Sequence, residues 1–246
     1  NQTGNNNTAV GTRSLLGLND GNDNSALGYE TLLNNMSGIG NTAIGYQAMR
    51  SNEAGDYNVA LGAYSLGSAF SGSQNIAIGL ESLRANLAGE YNIALGTRSL
   101  RTNQYGYSNF AAGYQSMFNN ANGNENVAIG TNTLQNNYEG NDNIALGRGV
   151  LSSNYSGSSN IGIGPGALTS NDTGSNNIAL GDNALYYNID GGYNIALGYN
   201  ALFNNQDGNG NLAMGYYALV SNENGSNNQA LGFEALFSNI AGSGNV

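Results

Sequence analysis

The chain has no cysteine, no histidine and no lysine among its 246 residues. Without cysteine there is neither a disulfide frame nor a thiol nucleophile. Without histidine the commonest general base and metal ligand are missing. Six Arg against sixteen acidic residues give a net charge of −10, so no cationic surface is offered to phosphate backbones or anionic lipid. Nucleic acid is not an expected partner. No apolar run approaches the roughly 20 residues a membrane helix requires, so no membrane insertion is expected of this segment. Bulky aliphatics are few beside Asn, Gly and Ser, a balance that ordinarily belongs to disordered chains.

The order of the residues argues against disorder. Asn recurs at every seventeenth position from Asn7 to Asn245, and a Gly follows four places later from Gly11 to Gly232. A second Gly series runs from Gly4 and Gly21 to Gly242 at the same spacing. Fourteen complete units fit without insertion or deletion, so each occupies the same space as its predecessor, as the coil of a solenoid does. Residues 1–246 therefore read as one repeat array. The array begins at Asn1 and ends at Val246 in mid-unit, as an excerpt of a longer fibre would.

Numbered from its Asn, the unit has a column structure. Column two is mostly Ile, Val or Thr, column four is aliphatic from Val10 to Leu231, and column nine is Leu in twelve units and Met in two. Alternation at period two is a strand signal, so columns two and four are expected on one side, forming the core with column nine. Every Asp and Glu falls in columns six, seven, thirteen, fourteen, sixteen or seventeen, the expected solvated positions. The Gly columns, five and fifteen, are expected where the backbone turns through conformations that suit Gly. Two short strands and two corners per coil follow, and Gly at two fixed places per unit disfavours helix by about 1 kcal/mol each. Fourteen such coils at about 4.8 Å would make a rod on the order of 65 to 70 Å long. Asn in columns one and twelve would stack into amide ladders or satisfy corner backbone groups.

Column three is Ala in thirteen units and Gly162 in the other. With columns two and four inside, that stripe faces outward, where a small residue implies a neighbouring copy pressed against it; a tight coil interior is the other explanation. The first of these makes a homo-oligomer the expected state.

The phrases Asn-Ile-Ala-Ile-Gly at 75–79 and Asn-Ile-Ala-Leu-Gly at 92–96 and 143–147 resemble the repeated pentad of trimeric autotransporter adhesin heads of the YadA-like type. The longer phrase from Asn41 to Met49 is similar to repeats of phage tail fibres and related surface fibres. The resemblance covers the whole chain. It implies an all-β fold, a parallel left-handed β-roll of three identical chains, and a role in extracellular attachment at a cell or virion surface. The unit of seventeen here is longer than the family's unit of about fourteen, so it carries a larger corner.

Nothing in the sequence reads as an active site. The carboxylates scatter from unit to unit, and Asp20 with Asp23, or Glu139 with Asp142, read as solvated acidic turns because Ca²⁺ coils repeat their Asp in register. No cofactor and no metal are expected, and the chain reads as a non-enzyme. Aromatic residues are the candidates for surface contact, above all Tyr199, Phe203, Tyr216, Tyr217, Phe233 and Phe237. Such rings beside Asn and Asp recognise a surface glycan or a protein receptor; alternatively they cover the next chain or staple corners. The expected function is an adhesive, structural fibre segment whose chief partner is itself, as a trimer. An ice-binding solenoid and a self-stacking matrix filament are the alternatives.

Overall fold

A computed structural model describes residues 4–246. The chain divides into two compact units, Asn1–Asn124 and Glu125–Val246. Each is a parallel β-solenoid with a repeat of seventeen, and no helix occurs among the described residues. The first unit stacks the strands Thr8–Val10, Ser25–Leu27, Thr42–Ile44, Val59–Leu61, Ile76–Ile78, Ile93–Leu95 and Phe110–Ala112. In the second, Val127–Ile129, Ile144–Leu146, Ile161–Ile163, Ile178–Leu180, Ile195–Leu197, Leu212–Met214 and Gln229–Leu231 do the same. Within each unit the register is kept: Ala77 pairs Ala94 in the first, and Ala179 pairs Ala196 in the second. No helix among the described residues is long and apolar enough to cross a membrane.

The strands lie with the opposite face inward from the one the aliphatic pattern suggests. The central Ala is buried, while its two neighbours are half-buried or exposed, as in Ile76–Ile78 and Ile178–Leu180. Ala60, Ala94, Ala145 and Ala196 are fully inaccessible, whereas Leu27, Ile44, Ile129 and Leu231 are exposed. Columns two and four are therefore not core. The interior leaves little more than a methyl group of room at column three, because the largely buried columns eight and nine lie against it: a Cβ at Gly162 would meet Val150, Ala167 and Leu168. Leu66, Leu100, Leu151 and Leu185 are all fully buried, as expected of column nine. The Ala stripe thus reflects a tight interior and gives no reason for a neighbouring chain. Its one exception has a local cause: a Cβ on Gly162 would lie 2.5 Å from Cγ1 of Val150, the bulkiest residue in a column otherwise of Ser, Thr and Ala.

Opposite the strand, the coil is mostly turn. Among the described residues a second short strand forms in three coils, at Ala85–Asn86, Thr102–Asn103 and Asn119–Asn120. Elsewhere the chain bends by placing columns seven, nine and seventeen in the left-handed region, for example Glu81 (φ 55°), Leu83 (φ 47°) and Tyr91 (φ 58°). A bulky Leu rarely adopts that conformation, so packing must hold it there in every coil. The reward is that backbone groups still point along the stack: Glu30 N–H donates to Thr12 O of the preceding coil (3.0 Å) and Leu32 N–H to Ala48 O of the following one (3.1 Å). At column five, Gly does supply the unusual backbone, as with Gly79 at φ 128°.

Two ladders of Asn side chains run through each unit, and they both stack and bind backbone. In column one, Asn75 Oδ1 accepts from the backbone N–H (2.9 Å) and Nδ2 (3.2 Å) of Asn92, and Asn75 Nδ2 donates to Gly89 O (2.9 Å). In column twelve, Asn171 Nδ2 donates to Asn154 Oδ1 (2.7 Å) and to Gly174 O (2.8 Å). Both amide groups are fully buried, and this pattern satisfies them.

The second ladder is broken at Ala69, which is buried with no amide to offer. Asn52 Oδ1 consequently has no hydrogen-bond partner. A buried acceptor left unpaired costs about 1–3 kcal/mol. Ala69→Asn places an amide between Asn52 and Asn86 and is expected to stabilise the chain by about 1 kcal/mol, read as a higher urea midpoint with unchanged slope. An unchanged or lower midpoint would show that the ladder carries no net stability.

Candidate functional site

Large side chains are exposed in several columns, and those of columns six, seven and ten carry the ion pairs and most of the ring stacks. In the first unit, this surface is occupied by ion pairs. Glu30 meets Arg13 (2.6 Å) and Arg50 (2.9 Å), and accepts from Gln47 Nε2 (2.8 Å). Glu81 meets Arg84 (2.7 Å), Arg98 (2.9 Å) and Arg101 (3.2 Å). The hydrogen bond from Arg50 holds the Glu30 carboxyl below its ordinary range against the effect of burial. For Glu81, burial pushes upward, but hydrogen bonds from Arg98 and Arg101 more than offset it, so that its pKa is lowered. The Glu30 side chain is only 5 % exposed, so column seven is not uniformly solvated. These clamps escaped sequence reasoning, although columns seven and ten, three apart on one turn, were the available signal.

Rings continue the same surface. Tyr29 stacks on Tyr46 (centroids 5.3 Å apart), which meets Tyr64 edge-on. In the second unit Tyr199, Tyr216 and Phe233, each seventeen residues from the next, form a continuous stack at 5.2 and 5.4 Å. Tyr217 packs edge-on against Tyr216 (4.5 Å) and Tyr199 (5.6 Å), with Phe237 6.1 Å away. Burial among these rings, reinforced by Tyr217, pushes the Tyr216 hydroxyl above its ordinary range. Five of the six aromatic residues singled out from the sequence thus form one connected group. Phe203 belongs to another, stacked on Tyr186 (5.2 Å) and edge-on to Tyr187 (5.1 Å).

Beside that second group, the ridge drops into a groove of about 550 Å³ lined by Arg148, Gly149, Ser152, Pro165, Gly166, Thr169, Asp182, Asn183 and Tyr186. It exists because column seven is Gly in two successive coils, Gly149 and Gly166, and in no other. That run of two was the sequence signal for the groove, and aromatic spacing alone missed it. Thr169 Oγ1 donates to Gly166 O (2.8 Å), closing the floor.

The acidic corners behave as ordinary surface: Asp20, Asp23, Glu139 and Asp142 are exposed, and Asp23 Oδ1 accepts from Asn6 Nδ2 (2.9 Å). Among the described residues, no three His, Cys, Asp or Glu side chains are grouped closely enough to hold a metal. Compared with known proteins, the chain matches no family profile and no curated protein.

Proposed function

We propose that this chain is a non-catalytic, adhesive segment of an extracellular fibre, a left-handed β-roll that associates as a trimer. The observation that carries this reading is the outward stripe of columns two and four. Ile129, Ile144, Ile163, Leu180, Ile195 and Met214 of the second unit are all exposed on one face of one sheet. A contiguous apolar face of this kind marks an interaction surface. Its even rise matches a second copy of itself, whose stripe has the same spacing. The side opposite, with its rings and clamped charges, is then left free to meet a surface glycan or protein receptor.

Light scattering tests the self-association. The expected mass is three times the 25.4 kDa chain. Ile144→Asp combined with Ile195→Asp is expected to reduce it to a single chain with an unchanged far-ultraviolet spectrum. A wild-type mass of one chain would overturn the fibre reading. Retention of chain-coated beads on cell-surface material tests the adhesive part separately.

A further inference from the structure

We propose that the groove between Arg148 and Asp182 is a binding subsite for an acidic saccharide, a sugar ring carrying a carboxylate. This deepens the adhesive reading and rests on it for its biological setting, but the chemistry is local. Five of the six Arg, Arg13, Arg50, Arg84, Arg98 and Arg101, are held by Glu30 or Glu81. Arg148 is the exception: it is exposed at the groove, and its guanidinium has no ion pair among the described residues. It is also the only cation in the second unit. A guanidinium fork matches a carboxylate in two parallel hydrogen bonds.

The remaining walls supply what a sugar ring requires. Tyr186 lines the groove and is held in place by stacking on Phe203 and by edge contact with Tyr187 (4.7 Å), so a ring face is presented without loss of rotamer freedom on binding. Asp182 is exposed, and its carboxylate also lacks an ion pair among the described residues, leaving it to accept from hydroxyl groups. Arg148 and Asp182 occupy the same column two coils apart, roughly 9 to 10 Å at about 4.8 Å per coil. Pro165 lies between them as an apolar floor. A pyranose laid along the groove places its carboxylate at one post, its hydroxyls at the other and its C–H face against Tyr186. The volume of this open groove, about 550 Å³, falls within the range of small-ligand sites.

The test is calorimetric titration of the full chain with trigalacturonate and, separately, with the neutral galactose trimer. The acidic trimer is expected to bind about tenfold or more tightly than the neutral one, as a charge-assisted pair would give. Arg148→Ala should abolish that preference, and Tyr186→Ala should weaken both sugars. Gly149→Tyr fills the groove: a Cβ there meets nothing within 4 Å, and Tyr64 and Tyr217 already stand in the same column with a left-handed backbone. It should abolish binding while the melting temperature falls by only the few degrees that a left-handed backbone without glycine costs. No binding of either trimer, equal binding of both, or undiminished binding by Gly149→Tyr would overturn the proposal. A chain that adheres and self-associates but ignores both trimers refutes the groove alone. Sugar binding by a chain with the mass of one copy refutes the fibre reading alone.

Discussion

Leu151→Asp is expected to unfold the stack around it, with loss of several kcal/mol of stability in urea or thermal melts. Leu151 is fully inaccessible, in a column of Leu and Met that is buried in nearly every coil. Truncation of such a Leu to Ala already costs about 2–5 kcal/mol, and a carboxyl group adds the penalty of a buried polar group without a partner. Because each coil contacts only its neighbours, the damage spreads as a broken interface on both sides. Ile163→Asp is the contrasting variant. Ile163 is 39 % exposed on the outer face of its strand, so the unassociated chain should lose less than about 1 kcal/mol. Equal losses in the two variants would show that the strand has been given the wrong inward face.

Gly157→Ala should be nearly as damaging, although it adds a single methyl group. A Cβ at Gly157 would stand 2.3 Å from Gly174 O, 2.4 Å from Asn171 Nδ2 and 2.5 Å from Asn154 Oδ1. None of these can yield cheaply: the first is backbone of the next coil, and the others are the paired amides of the ladder. Relief requires separating two coils, so a loss of about 3 kcal/mol is expected, the upper part of the range for overpacking. Gly149→Ala is the matched control, since its Cβ meets nothing and only the left-handed backbone (φ 69°) opposes it, at about 1 kcal/mol. The measurement is the urea midpoint of each. A Gly157→Ala midpoint at the wild-type value would mean that the coils are not in the close contact described.

These two variants also mark where the sequence was legible. Column nine was readable as core because a bulky Leu held at one position needs a buried place in every coil. Column fifteen was readable as glycine, but for another reason than the true one: Gly157 is not in the left-handed region, and space between coils excludes the side chain. The left-handed positions are columns seven, nine and seventeen instead. Asn, Asp and Gly stand at some of them, but the Leu of column nine and the Glu, Tyr and Arg of column seven are residues that no composition rule assigns there. The aromatic group was half legible. Rings seventeen residues apart must stack once coils are in register, as Tyr199, Tyr216 and Phe233 do. Phe203 packs instead against Tyr186 and Tyr187 of the preceding coil, and Val220 in column ten of the following coil interrupts the ring series before Phe237.

By itself, then, the sequence determined the repeat, the parallel in-register stacking, the strand at columns two to four, the buried Leu and the Asn ladders. Each follows from strict recurrence, since identical neighbours at identical spacing leave one way to align. Only the tertiary structure decided which side of the strand is inside. An aliphatic–Ala–aliphatic triplet alternates equally well either way, and the choice was made by the narrow space beside the buried columns eight and nine, seen at Gly162 against Val150, Ala167 and Leu168, which leaves room for little more than a methyl group. The same closure turned the aliphatic columns outward, and it set the gap left by Gly149 and Gly166 between Arg148 and Asp182.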